Sequence, residues 1–334
     1  MDLPDQTSRP LDRKVIDDAP AGSITISAEP SARVDSKAFW EWLSRCLEQA
    51  SAQGISLALV PLRLVLLTRD LGASAKYWQS QLGEPPSGTS EQPEGVAVAK
   101  TFFWGEDDSS ARAVVVIRDH IAYAAMNGYS IAISTVIHEL GHVHDYFLRN
   151  VSQGFRRPKT HPGISDWPLI RTYLAEIVWS EYAAESIAAI YMTDEDLRSF
   201  EDSDQAYLSG VHERIRERII DFHSGRCDLG SLWSYCITQL SDVFSNLGRS
   251  LARISFAEHP EEALERLVST DDLVGWHPIV KKLATELGIL GDKAYSDWPV
   301  AAQFRGIEEA LVSGFHVVGL FPMFELGNLR VQVR

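Results

Sequence analysis

Cysteine is scarce: Cys46, Cys227 and Cys236 are the only three in 334 residues. An odd count excludes a fully paired disulfide framework, and no CxxC pair is present to build a structural zinc site. The three read as buried thiols, because the spacing of His223, Cys227 and Cys236 fits no common metal pattern. Basic charge is also in short supply. With 31 Lys and Arg against 46 Asp and Glu, the net charge is −15, which argues against nucleic acid or an anionic membrane surface as a general partner. The one basic run, Arg156-Arg157-Pro158-Lys159, reads as a solvated loop. No apolar stretch reaches the roughly 18 residues of a membrane span. The most apolar stretch, 57–67, is broken by Pro61 and Arg63 and reads as a buried strand. The opening Met1-Asp2-Leu3-Pro4-Asp5 has neither the basic nor the apolar region of a secretory signal, so a cytoplasmic location is expected. P-loop, GxGxxG and internal repeat are all missing, which leaves a nucleotide enzyme unsupported.

Against these absences stands one pentapeptide, His138-Glu139-Leu140-Gly141-His142. Histidines four residues apart project from one side of an α-helix and can share one Zn²⁺, with the glutamate between them placed to act as a general base on a metal-bound water. At about 100° per residue, His142 and Asp145 fall within about 40° of His138, whereas Val136, Leu140, Val143 and Phe147 cluster on the opposite side. The pattern predicts a helix over 130–149 with an apolar back, a metal-facing front and Ser130 as its N-cap. His144 falls on the apolar side and reads as structural. Asp145 has two readings, a carboxylate that orients a ligating histidine or a solvated helix end.

A hydrolytic zinc site needs a third protein ligand besides a water. The HExxHxxGxxH form is excluded, because neither its glycine nor its third histidine follows His142. A second helix is predicted over 167–192, capped by Ser165 or Asp166, with Pro168 in its first turn. On this helix Glu181 and Glu185 lie one turn apart inside the apolar stripe, while Glu176 points away and is expected to be solvated. Carboxylates in a core-facing stripe call for a metal or a strong partner. Glu181 is therefore the candidate third ligand, with Glu185 behind it to orient a ligating histidine. A buried glutamate paired with an arginine such as Arg171 is the plainer reading.

HELGH followed some forty residues later by Ser180-Glu181-Tyr182-Ala183-Ala184-Glu185 resembles the gluzincin zinc metallopeptidases, in which two histidines and a downstream glutamate hold the metal. More loosely, size, acidity and HELGH look like the ImmA/IrrE family of intracellular zincins, whose known members act on repressor proteins. The resemblance spans 96–192. It implies a Zn²⁺ cofactor on His138, His142 and Glu181, Glu139 as the catalytic base, and a peptide or protein substrate. Departures are visible: Glu-Ala-Asn and Leu-Leu-Met-Pro signatures are absent, and Ser180 and Glu185 stand where thermolysin-like enzymes carry Asn and Asp.

The expected fold class is α+β. Residues 1–33 read as a disordered tail with a short strand at 24–27, 34–192 as a zincin-like catalytic domain, and 193–334 as a mainly helical region forming the other wall of the cleft. Helix 37–52, strand 57–67, helix 73–82, loop 84–94, and strands 96–104 and 111–118 joined through Gly105–Ser110 would lead directly into the metal helix. Strand 113–117 is the expected sheet edge for an extended peptide. Beyond 192, helices are expected at 205–222, 230–253, 260–268, 277–287 and 301–312, with 317–324 and 329–333 open between strand and coil. Tyr182, Tyr207, His212 and His223 are open candidates for an oxyanion donor. The rival function is a non-catalytic zinc-binding regulatory or ligand-sensing protein on the same fold.

Overall fold

The computed structural model describes residues 23–82, 91–92, 95–104, 111–153, 166–298, 304–325 and 327–334. Residues 1–22, most of the expected 84–94 loop, the Gly105–Ser110 connection and the 156–159 basic run lie outside them. The architecture is α+β, and its contacts divide the chain at Val151/Ser152. The sequence reading drew its line after Met192.

The first unit is built on a four-stranded sheet ordered β1-β2-β4-β3, from β1 (Thr25–Ala28), β2 (Leu62–Thr68), β3 (Ala99–Trp104) and β4 (Arg112–Arg118). β1 and β4 run parallel to β2, and β3 closes the sheet antiparallel to β4. Two-residue ladder strands, Glu91–Gln92 and Gly95–Val96, precede β3. Continuous runs such as Val114-Val115-Val116-Ile117 form strands buried on both faces. The strand pairing corrects one expectation: 113–117 is interior, flanked by β2 and β3, and the edges are β1 and β3.

Helix α1 (Ser36–Ala52) starts at Asp35, whose carboxylate accepts from the Ala38 N–H at 2.9 Å. Helix α2 (Leu71–Leu82) packs Leu71, Ala75 and Trp78 on a sheet face formed by Leu64, Leu66, Phe102, Trp104, Val114 and Val116. A short helix, α3 (Asp119–Met126), intervenes between β4 and the helix that carries the pentapeptide, so the strand does not lead directly into that helix. Gly128, at φ 86°, makes the turn that follows. Helix α4 (Ser130–Gln153) then runs four residues beyond the predicted end. Tyr129 occupies the N-cap position expected for Ser130, since its carbonyl accepts the Ile133 N–H at 3.0 Å.

Among its described residues the second unit is helical apart from an antiparallel strand pair near its C-terminal end. Its helices are α5 (Trp167–Ala188), α6 (Asp194–His223), α7 (Leu229–Ile254), α8 (Pro260–Leu267), α9 (His277–Gly291) and α10 (Arg305–Val317). The two segments left open become an antiparallel pair, β5 (Leu320–Glu325) and β6 (Asn328–Val333). α5 packs along α7, which packs in turn on α6. Trp167, Trp233, Phe244, Trp276 and Phe315 occupy the shared core. Gly314 permits the close approach at its centre, because a Cβ there would meet Phe244 Cζ at 2.7 Å.

Candidate metal centre

Helix α4 carries the pentapeptide two turns past its start, and its apolar side, Val136, Leu140 and Val143, is buried. The register set by that burial turns His138 and His142 to a common side: their ring centroids are 4.6 Å apart and the rings are nearly perpendicular, at 87°. Two imidazoles in this arrangement present two nitrogens to one point.

Glu139 is 8% exposed. A buried carboxylate needs donors, and Thr101 on the edge strand supplies one: its hydroxyl lies 2.6 Å from Glu139 Oε2 and 3.2 Å from the Glu139 carbonyl. Two residues on, Phe103 stacks on Tyr146 at 4.3 Å. Thr101 and Phe103 share one face of β3 through the two-residue strand period, so the strand lies along α4 through two contacts about two helical turns apart. Sequence reasoning missed Thr101. The available signal was a hydroxyl residue sharing a strand face with Phe103, opposite the face on which Phe102 and Trp104 pack under α2.

His144 is the structural histidine expected. Its Nδ1 accepts the Ala58 N–H at 2.8 Å, tying the loop before β2 to α4, and burial pushes its pKa down, partly offset by Asp145. Asp145 is not a solvated helix end: it is fully buried and forks to Arg149, with Nη2 2.6 Å from Oδ2 and Nε 3.1 and 3.0 Å from the two oxygens. The helix continues past both residues, which is why the expected terminus does not expose them.

Asp166 caps α5 by accepting the Leu169 N–H at 3.2 Å, as its sequence position suggested. Glu181 and Glu185 project one turn apart. Glu185 is buried and its Oε1 lies 3.2 Å from Arg253 Nε; Oε2 of the less buried Glu181 lies 3.5 Å from Arg249 Nε. Both arginines come from α7, so the pairing arginine is not Arg171. Glu176 departs from expectation: at 1% exposure it is buried, because α5 is covered on nearly its whole circumference rather than along one stripe.

One donor atom from each of His138, His142 and Glu181 lies within 4.8 Å of the other two, the one such group among the described residues. Around a tetrahedral Zn²⁺ with bonds of about 2.0–2.1 Å, donors sit about 3.4 Å apart. Two imidazoles and a carboxylate are also the donor set suited to a catalytic rather than a structural zinc.

Among the oxyanion candidates, His212 accepts the Trp276 indole N–H at 3.2 Å through Nδ1 and serves the core. Tyr182 has its phenol pushed up in pKa by burial, and its backbone carbonyl accepts the Ser186 hydroxyl at 2.7 Å. Cys46 and Cys236 are buried and Cys227 half-buried; all three are free thiols, with burial pushing Cys236 up to about 12. No helix among the described residues is long and apolar enough to cross a membrane. Comparison of the chain with protein-family models, curated proteins and solved structures finds no match.

Proposed function

We propose that the chain is a zinc-dependent peptidase with a zincin-like, gluzincin-type centre, acting on a peptide or protein in the cytoplasm. His138, His142 and Glu181 would hold the Zn²⁺, and Glu139 is the general base. The observation that carries this reading is that donor atoms of His138 and His142, on α4, and of Glu181, on α5, lie within 4.8 Å of one another, while α4 also presents a buried, hydrogen-bonded glutamate.

When bound, the metal would supply Lewis acidity, lowering the pKa of a water and polarising the scissile carbonyl. The chain's own part is to hold and move protons. Glu139 takes the proton of the attacking water and delivers it to the departing amine. Thr101 keeps one carboxylate oxygen fixed, so that the other is oriented for this exchange. A purely structural or sensory site has no use for a base between its ligands, which favours the hydrolase over a ligand-sensing protein.

The test compares wild type with Glu139→Gln for bound zinc and for cleavage of a broad peptide library. Zinc retained by both, with cleavage lost in the variant by a factor of about 10²–10⁴, is expected. Wild-type protein that binds zinc and cleaves nothing in the library would point to the regulatory alternative.

A further inference from the structure

Resting on the metal-centre reading above, we propose that Arg249 is a positioning residue for Glu181: it holds Oε2 of that carboxylate, so that Glu181 serves a metal ion through Oε1 alone. The geometry is a two-rung ladder. Glu181 and Glu185 are one turn apart on α5, Arg249 and Arg253 one turn apart on α7, and the rungs measure 3.5 and 3.2 Å. Equal four-residue spacing on the two helices brings both pairs into register.

The ladder is anchored at its buried end. Arg253 reaches Glu185 through Nε, lies 3.5 Å from Asp204 Oδ2 through Nη2, and stacks 4.2 Å over the Phe200 ring. Ser250 donates to the same Asp204 oxygen at 2.7 Å. At the other end Arg249 is itself steadied, its Nη2 donating to Asn246 Oδ1 at 2.6 Å. Gly248 sets the approach of the two helices. A Cβ there would stand 2.5 Å from the Val178 carbonyl oxygen and 3.2 Å from Glu181 Cβ, so the glycine lets α7 close onto the turn of α5 that carries Glu181.

A carboxylate with both oxygens available can chelate a dication; one with an oxygen held by a guanidinium presents a single donor in a fixed direction. Arg249 meets that oxygen through Nε as an ion pair at 3.5 Å, without hydrogen-bond geometry, while its Nη2 is engaged by Asn246; the hold is therefore one of charge and direction, from a planar group of fixed orientation. Repulsion between the guanidinium and a dication opposes binding, but the Arg249 side chain is 36% exposed and that repulsion is screened. Orientation of the ligand therefore prevails, as it does for other groups that hold metal ligands from behind.

The experiment uses the full chain stripped of metal by chelation, with Zn²⁺ affinity read by competition and Co²⁺ coordination read from its d–d absorption. Arg249→Met is expected to bind Zn²⁺ about ten times more weakly or worse. Its Co²⁺ band should lose intensity as Glu181 turns bidentate and the coordination number rises. Arg249→Lys, which keeps the charge without the planar group, should fall between; it carries the same test if circular dichroism shows that the methionine variant does not fold. Affinity within twofold of wild type would overturn the proposal. So would weaker binding with a superimposable Co²⁺ spectrum, which is the result of lost charge or packing alone. Failure of the underlying ligand assignment looks different: wild type takes up no metal, or Glu181→Ala binds as tightly as wild type.

Discussion

At the scale of single residues, the region around the pentapeptide is held by a few polar contacts whose removal has a definite cost. Thr101→Val deletes a donor 2.6 Å from a buried carboxylate. Losing a hydrogen bond to such a group is worth about 1–3 kcal/mol, and the denaturation midpoint should fall accordingly while metal stoichiometry stays unchanged. A loss of metal in Thr101→Val would mean that the hydroxyl supports the ligands rather than the base. Asp145→Ala breaks a pair in which both side chains are almost wholly buried. Removing one member of such a pair costs about 3–5 kcal/mol, so urea denaturation should show a far larger loss than for a surface pair such as Lys282–Glu309. Both residues illustrate what residue type and spacing leave unsaid. Helical geometry put Asp145 near His138 and His142 but was silent on its carboxylate forking to Arg149 one turn later.

At the scale of elements, the helix-helix contact of α5 and α7 is set by a glycine. Gly248→Ala inserts a methyl group 2.5 Å from the Val178 carbonyl oxygen, which has no side-chain freedom with which to move aside. Such overpacking typically costs about 1–3 kcal/mol. Because the displaced turn carries Glu181, Zn²⁺ affinity should fall together with the melting temperature; calorimetry and a metal titration on the same sample check both. Most elements were legible in the sequence. Asp35, Asp166 and Pro168 mark helix starts by local chemistry, and the apolar periods of 37–52 and 230–253 give α1 and α7 nearly to their ends. The failures have a common cause. The expected edge, 113–117, is interior, and its unbroken apolar run is the mark of a strand covered on both faces. A single-stripe pattern, which assumes a helix with one buried face, makes Glu176 solvated, whereas α5 has almost no face exposed.

At the scale of the whole molecule, stability should depend on pH through His212, a half-buried histidine held neutral beside the core. Burial pushes the pKa of His212 below its ordinary 6.5, partly offset by Asp272, and its Nδ1 accepts the Trp276 indole N–H. The unfolded chain then binds a proton that the folded chain refuses. Stability conferred by the neutral ring is present above about 6.5 and is lost as pH falls from there toward the lowered folded value. Melting temperatures measured from pH 7.5 to 5 should decline less steeply in His212→Gln than in wild type, and equal slopes would show that His212 does not contribute.

The amino-acid sequence by itself determined the α+β class and the one helix that bears two histidines and a glutamate at ligand spacing. These follow from contacts within a few residues, where 3.6-residue and two-residue periods decide which side chains share a face. It also singled out Glu181, on the argument that a carboxylate inside an apolar stripe must answer to something. What Glu181 and Glu185 answer to was decided only by tertiary structure, because Arg249 and Arg253 lie more than sixty residues downstream and no local period joins them to α5. The same holds for Thr101 beside Glu139 and for the interior place of β4. Strand order and cross-helix pairing depend on which distant surfaces bury each other most completely, and that competition is settled only in the assembled fold.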